Sequence, residues 1–437
     1  MTSFGEIAEW AASLRAESVP PAVRLAAERE RASVRGAIAA AWETRAGRTW
    51  ARASPPGSER DAGMSALLDW DDYGFLAHPG HSAAVVAGNH EEAHIAAAEL
   101  ALRLGAACIL APAAGQGSTF VHAPAAALAA GIRAGMHPTA IARGLGLAFL
   151  APCAPTWGGL LATSAKPARI AGPVASGLRA CTLASEGVVP PRRALADGLA
   201  RASFAPLPEL LGGLGDRWLL STLSFKPRPA AAHVQAPLAA FAELGVVDPD
   251  AVDRIEVAAG APTLTMEALA RRENAPAGEP VATQFSVERA LRVALVYGDL
   301  TPQTLEQPLP DGPRVSLRHE PAFTRETVAG IERGAPLSNA LTRLGPSDVL
   351  SALIGVWRTY GRALRVAPRA VRALRPRNVD WRLDELELIF PARVVVRLRD
   401  GRELVAERRS HPGQARASDN EIDRVIASKD RAYTRSA

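Results

Sequence analysis

The chain has 437 residues, 48% of them hydrophobic and 22% charged, which is typical of a globular protein and excludes a disordered one. This length predicts two or three domains, and 50 basic against 45 acidic residues is too small an excess to indicate nucleic-acid binding. Alanine-rich runs together with only 5% aromatic residues predict a mainly helical protein.

The cysteines and the apolar segments indicate in which cellular compartment the protein is expected. Cys108, Cys153 and Cys181 are widely spaced and form no CxxC pair, so we expect free thiols in a reducing environment. The N-terminal residues lack a basic stretch followed by an apolar one, so we expect no signal peptide. Apolar segments are interrupted before the roughly 18 residues that a membrane helix requires. We therefore expect a cytoplasmic protein that does not enter the membrane.

Helical periodicity predicts helices at residues 4–14 and 20–45. A segment rich in Pro, Gly and Ser at 53–63 predicts a loop, and a short helix is expected at 64–70.

The stretch 68–81, LDWDDYGFLAHPGH, concentrates polar chemistry in fourteen residues. It contains three carboxylates, a tyrosine and two histidines, namely Asp69, Asp71, Asp72, Tyr73, His78 and His81. Carboxylates beside imidazoles supply proton acceptors and a group that titrates near neutrality. Taken alone, the stretch is more typical of an acidic helix end followed by a turn, and the segments that follow it change this interpretation.

A helix predicted at 89–110 begins with His90-Glu91-Glu92-Ala93-His94, a formal match to the HExxH zinc motif. A downstream third ligand at the usual spacing is missing, because Ala97 and Leu100 occupy those positions. We therefore favour a solvated first helical turn over a zinc site.

Residues 100–185 contain no Asp or Glu. The cations of this span are Arg103, Arg133, Arg143, Lys166, Arg169 and Arg179. Such cations suit an anionic ligand when they lack internal partners, and they equally suit long side chains that reach solvent from alanine-rich helices. The composition does not decide between these two interpretations.

Three loops place basic or histidine side chains among small residues or prolines. The loops are 115–124 with His122, 158–172 with Lys166 and Arg169, and 221–233 with Lys226, Arg228 and His233. Small neighbours let a cation approach a ligand closely, and flanking prolines lower the entropy cost of holding an anion.

Beyond residue 236 the pattern becomes mixed α+β. Strand character appears at 252–260, 386–391 and 394–409, and Asp400-Gly401 predicts a hairpin turn. Helices are predicted at 283–298 and 347–366, and the tail from residue 413 is polar and helical. The arginine-rich segment 358–377 lacks interleaved aromatics and is interpreted as a solvated face.

With these motifs in order, the chain resembles the MmgE/PrpD family, which includes 2-methylcitrate dehydratase, cis-aconitate decarboxylase and iminodisuccinate epimerase. The resemblance runs from about residue 5 to the C-terminal helix. LDWDD…HP resembles the family's LDFDDTH…HP, GSTFVH its GFH segment, and AKPARIAG its TKxLHxG loop. SFKPRPAAAH resembles the KPYPxC…H loop, and TQFSVERALRVAL the QFSLPYAVAVAL segment.

The resemblance implies a helical domain built from both chain ends, at 1–223 and 413–437, and a smaller α+β lid at 224–412. It also implies a homodimer whose active site lies between the domains and uses neither a metal nor another cofactor. Residues that match the family's active-site positions are Asp69, His78, His122, Lys166 and Lys226.

Several positions depart from the family pattern. Tyr73 stands where the family usually has Thr, Arg169 where it has His, and Arg289 where it has Tyr. His233 is displaced from the histidine that follows the loop lysine in the family. We take these differences to indicate a different acid, or one whose carboxylates are differently spaced.

The sequence thus predicts a lyase, either a dehydratase or a decarboxylase, for a small di- or tricarboxylic acid. His78 and His122 are the expected acid/base residues, with Asp69 as partner base or orienting group. The expected substrate-binding residues are the two lysines together with Tyr73, Arg169, Arg228, His233 and Arg289. An epimerase or isomerase on the same site and a non-catalytic binding protein remain alternatives, and a zinc protease is a distant one. Asp71 and Asp72 are expected to hold the loop, and His81 is expected to be structural.

Overall fold

A computed structural model describes residues 3–75, 77–108, 117–150, 157–276, 278–338, 344–346, 349–350 and 382–436. Cys153, the arginine-rich segment 358–377 and all but two residues of the helix predicted at 347–366 lie outside these ranges.

The described part of the chain is mainly helical, which confirms the prediction from composition. The helices are α1 (Phe4–Ser13), α2 (Pro21–Glu43), α3 (Arg45–Ala53), α4 (Ser58–Leu67), α5 (Ala83–Ala87), α6 (Glu91–Ala107), α7 (His122–Arg133), α8 (Pro138–Phe149), α9 (Trp157–Leu161), α10 (Ala168–Ser185), α11 (Ala194–Ala202), α12 (Ala232–Glu243), α13 (Ala261–Glu273), α14 (Pro280–Gln284), α15 (Val287–Tyr297), α16 (Pro321–Gly334) and α17 (Asp419–Ser436).

One loop prediction and one helix prediction were inaccurate. The loop expected at 53–63 ends early, because α4 begins at Ser58 and has Glu59 and Asp61 in its first turn. Acidic side chains there interact favourably with the helix dipole, which compensates for the preceding turn residues. The helix predicted at 283–298 is divided into α14 and α15, since Ser286 caps the second helix by accepting from a backbone N–H.

Strands form two small sheets. β1 (Asp72–Tyr73) pairs antiparallel with β2 (Ser224–Phe225). The second sheet is mixed and contains β3 (Val252–Ala259), β4 (Arg314–His319), β5 (Ala392–Leu398) and β6 (Glu403–Arg408), in the order β4-β3-β5-β6. β3 is parallel to β4 and antiparallel to β5.

The hairpin predicted at Asp400-Gly401 is confirmed, since β5 and β6 pair antiparallel around a turn in which Gly401 has φ +89°. The strand predicted at 386–391 was wrong. Its backbone bonds to α16 instead, where Glu387 N–H donates to the Gly330 carbonyl and Thr327 donates to the Ile389 carbonyl.

Packing joins the two chain ends. α17 lies along α2, and its Ile422, Val425 and Ile426 enter the same core as the N-terminal helices. A second core joins the mixed sheet to α12 and α15, and it includes Leu67 and Trp70 from the end of α4 and the turn after it. Among the described residues, no helix combines the length and the apolar character needed to cross a bilayer.

Candidate active site

The segment from Asp69 to His81, which we call the catalytic segment, begins directly after α4. Asp69 has φ +53°, a left-handed conformation that is uncommon for a residue other than glycine. The pairing of β1 with β2 then sets Asp72 opposite Phe225, and Lys226 N–H donates to the Asp71 carbonyl at 3.1 Å. The short sheet therefore brings Lys226 to residues more than 150 positions earlier in the chain.

Asp69 lies between two lysines. The Nζ atoms of Lys166 and Lys226 are each 3.2 Å from Asp69 Oδ1. The other carboxylate oxygen, Oδ2, is buried and accepts no hydrogen bond from the described residues. Burial opposes ionisation of Asp69, but the two ammonium groups outweigh it and lower the pKa of this carboxyl. Asp69 is therefore a carboxylate whose second oxygen has no hydrogen-bond partner among the described residues.

Asp71 is the centre of the hydrogen-bond network. Its Oδ1 accepts from Lys226 Nζ at 2.6 Å, and its Oδ2 lies 2.6 Å from His78 Nδ1 and 3.2 Å from His81 Nε2. Although burial disfavours its charge, Lys226 and the two imidazoles hold the pKa of Asp71 well below its usual value. Asp71 is thus the residue that orients His78, a role that the sequence suggested for Asp69.

The orientation of His78 follows from that contact. Because Nδ1 faces both the Asp71 carboxylate and the Asp72 carbonyl, at 2.6 and 2.9 Å, it carries the proton of the neutral ring. Nε2 is then the basic nitrogen. The His78 side chain is 24% exposed, so it is the most accessible of the acid/base groups gathered here.

His122 opens α7 and completes a row of three imidazoles. The His78 and His81 rings stack with centroids 5.6 Å apart, and His81 and His122 are 5.9 Å apart. His122 Nδ1 lies 3.1 Å from Ser82 Oγ, whereas Nε2 is buried and has no hydrogen-bond partner among the described residues. Burial, and then the neighbouring imidazoles, lower the pKa of His122 far below its usual value, so this ring is neutral.

Lys166 is held by the loop before α10 and by α14. Its Nζ donates to Gln284 Oε1 at 3.2 Å and lies 5.1 Å from the centroid of the Phe285 ring. Burial lowers the pKa of Lys166, and Asp69 counteracts that shift. His233 Nε2 lies 3.1 Å from the backbone carbonyl of Phe285, the residue whose ring faces Lys166.

The described residues therefore bring together all five predicted catalytic side chains. Of the predicted binding residues, Arg169 is close enough to His122 to help lower its pKa, and His233 contacts the backbone of Phe285, whose ring faces Lys166.

Compared with protein-family models and with curated proteins, the sequence matches none.

Three other predicted binding residues point to different partners. Tyr73 OH lies 2.8 Å from His411 Nε2 and 3.1 Å from Gln414 Oε1. Arg228 Nε donates to Asp299 at 2.5 Å. Arg289 reaches the Ala282 carbonyl at 3.5 Å. In each case the hydrogen-bond partner is a polar group of the surrounding fold, which the sequence pattern could not reveal.

The HExxH match does not form a shared ligand pair. His90 is half-exposed at the start of α6, where its Nδ1 accepts from Ala93 N–H. His94 is fully buried and its Nε2 lies 2.7 Å from Glu30. Among the described residues, Asp71, His78 and His81 do have ligand atoms within 4.8 Å of one another. A cation there would meet the ammonium of Lys226 on the same carboxylate, so this group fits a metal poorly.

The acid-free span also contains partnered cations. Arg103 is fully buried, and its Nε donates to Glu99 at 2.7 Å, one residue before the span begins. Arg133 donates to the Val86 carbonyl. Among the described cations of this span, Lys166 and Arg169 lie near the carboxylates and imidazoles described above.

Glu30 and Lys429 form a second buried layer against Asp72 and Asp71 of the catalytic segment, and sequence reasoning missed both. Glu30 and Asp72 are neighbouring buried carboxyls, and burial raises the pKa of Asp72 to about 7 and that of Glu30 to about 8. Asp72 Oδ2 also accepts from Gly80 N–H at 3.2 Å. Lys429 of α17 completes the layer.

One signal in the sequence could have found Lys429. The chain has 50 basic residues, and only three of them are lysines: Lys166, Lys226 and Lys429. All three are buried and contact Asp69 or Asp71 of the catalytic segment.

Proposed function

We propose that this protein is a cofactor-independent lyase for a small di- or tricarboxylic acid, using general acid/base chemistry at the carbon next to a carboxylate. The observation that supports this proposal best is the environment of the Asp69 carboxylate. One of its oxygens is held by two buried ammonium groups, and the other is buried without a partner among the described residues. A substrate carboxylate bound by Lys166 and Lys226 would therefore lie next to the Asp69 carboxylate, which can act as the base.

The chemistry follows from the charges. Asp69 Oδ2 or His78 Nε2 accepts the proton from carbon, and the electron pair left behind delocalises into the adjacent carboxylate. Lys166 and Lys226 stabilise the extra negative charge there, in a site where burial strengthens their interaction. Expulsion of a β-hydroxyl as water, with a proton from a histidine, completes dehydration. Loss of carbon dioxide from a neighbouring carboxylate would use the same charge stabilisation, with protonation of carbon as the last step.

We further propose that residues 1–223 and 413–437 form one domain and residues 224–412 a lid. Two observations support this division. The four strands of the mixed sheet all lie within 252–408, and α17 packs on α2. Asp69 and Lys166 then come from one domain and Lys226 and Gln284 from the other, so closure of the lid would assemble the site and exclude water.

The first experiment is a thermal-shift screen with citrate, methylcitrate, aconitate, tricarballylate and substituted succinates, because a ligand that binds the native state raises its melting temperature. Stabilising acids are then followed by proton NMR for loss of water or carbon dioxide. We expect His78→Ala and Lys166→Ala to abolish turnover. The control is His137→Ala, since His137 caps α8 outside the cluster. Full turnover by both site variants would overturn the proposal.

A second candidate is an epimerase or isomerase of a dicarboxylate. It is favoured by Asp69 Oδ2 and His122 Nε2, two buried atoms without a hydrogen-bond partner among the described residues, since removal and return of a proton can use two separate groups. Exchange of deuterium from D2O into recovered substrate, without an alkene product, would identify it. Tight binding of an acid with neither turnover nor exchange would identify a non-catalytic binding protein.

A further inference from the structure

Lys429 lies directly behind the catalytic segment although it comes from the C-terminal helix. Its side chain is fully buried. Nζ donates to Ser33 Oγ at 2.7 Å and to the Asp71 carbonyl at 3.4 Å, and it lies 5.7 Å from the centroid of the Trp70 ring. The ammonium therefore touches the backbone of the residue whose carboxylate orients His78.

The path of the backbone fixes this contact. Gly36 of α2 faces Lys429, and a Cβ atom at Gly36 would lie 2.6 Å from Lys429 Cβ and 2.7 Å from its carbonyl oxygen. A side chain at position 36 would push α17 away. Arg29 of α2 pairs with Asp419 and Asp423 one or more turns earlier in α17, which sets the register of the two helices.

A buried ammonium is costly, and an apolar side chain of similar length would fill the same space without that cost. The chain is rich in arginine and keeps lysine at only three positions, two of which hold Asp69 and Asp71. A compact ammonium, rather than a planar guanidinium, suits short contacts to the Ser33 hydroxyl and the Asp71 carbonyl in a closed space.

We propose that Lys429 is a positioning residue of the active site: the C-terminal helix supplies an ammonium that fixes the Asp71 peptide and, through Asp71, the orientation of His78. The inference rests on the proposed acid/base function of His78. The charged and titratable groups that face Lys429 are Asp71, Asp72, Lys226 and His411. Burial lowers the pKa of Lys429 to about 7, so the contact titrates near neutrality.

The test compares Lys429→Met with wild type. The matched control is Arg424→Met, which removes an exposed cation from the same helix. Because the Met variant loses a buried charge, we expect its melting temperature to be equal or higher. In protein labelled with ¹⁵N-histidine, the Nδ1–H signal of the His78–Asp71 hydrogen bond, assigned by its loss in His78→Gln, should shift or broaden in Lys429→Met and stay unchanged in Arg424→Met.

Turnover of a substrate found in the screen should fall at least tenfold in Lys429→Met with KM within twofold, and the pH profile should lose an ionisation near neutrality. An unchanged His78 signal overturns the proposal, even if no acid is turned over and the proposed function fails. Wild-type turnover and pH profile in Lys429→Met overturn it while the proposed function stands. A lower melting temperature with an unchanged His78 signal also overturns it, since Lys429 would then only anchor the helix.

Discussion

Replacing Lys226 by Met tests the charge balance of the cluster. Lys226 is fully buried, and its Nζ lies 2.6 Å from Asp71 Oδ1 and 3.2 Å from Asp69 Oδ1. Its removal leaves two buried carboxylates with one fewer partner. Loss of one partner from a buried ion pair typically costs about 3–5 kcal/mol. We therefore expect the free energy of unfolding to fall by about that amount at pH 7.

The pH dependence of that loss has a definite sign. Asp69 and Asp71 have lowered pKa values in the native protein, so their stabilising effect is present above the unfolded pKa of about 3.9 and is lost as the pH falls. In Lys226→Met the carboxylates take up protons more readily. The difference between variant and wild type should therefore shrink as the pH is lowered from 7 towards the unfolded pKa.

Urea denaturation at several pH values measures this difference directly. Arg382→Met is a suitable control, because Arg382 is 61% exposed in its pair with Asp384 and such surface pairs contribute little. A loss below about 1 kcal/mol at pH 7, comparable to surface pairs, would refute the view that Lys226 neutralises the two carboxylates.

Three further predictions concern residues around the site. Gly80→Ala should destabilise the protein by about 1–3 kcal/mol in thermal melts, because the Cβ atom of the alanine would lie 2.2 Å from Asp72 Oδ1. The control is Gly172→Ala in α10, which has open space around it and should be neutral or stabilising. Glu30 and Asp72 have raised pKa values, so their contribution to stability is present below the unfolded pKa of about 4 and is lost as the pH rises towards about 8. Glu30→Gln should flatten that slope in urea midpoints, and an unchanged slope would contradict the assignment. Glu99→Ala should lower the free energy of unfolding by about 3–5 kcal/mol, since it leaves the buried Arg103 without its carboxylate. A loss below about 1 kcal/mol in urea denaturation, as for a surface ion pair, would contradict this.

Much of the architecture could be predicted from local pattern. The helix periodicity of residues 4–14 and the hairpin signal at Asp400-Gly401 depend on nearest neighbours in the chain, and both are confirmed. The sequence also named Asp69, His78, His122, Lys166 and Lys226. Their loops carry acid/base and anion-binding residue types, but the choice of these five came from the resemblance of their motifs to those of a known enzyme family. The homodimer and the absence of a cofactor stay predictions.

Only the tertiary structure decided which of those residues contact one another. Asp69 and Asp71 are two positions apart and identical in type, yet only Asp71 reaches His78, because the left-handed turn at Asp69 and the two-residue pairing with β2 aim the two carboxylates differently. Lys429 lies 358 residues beyond Asp71, and no local periodicity connects them. Hydrogen bonds and burial of this kind depend on which distant segments of the chain pack together. The residue types are visible in the sequence, but the hydrogen-bond partners follow from the packing of helices and strands.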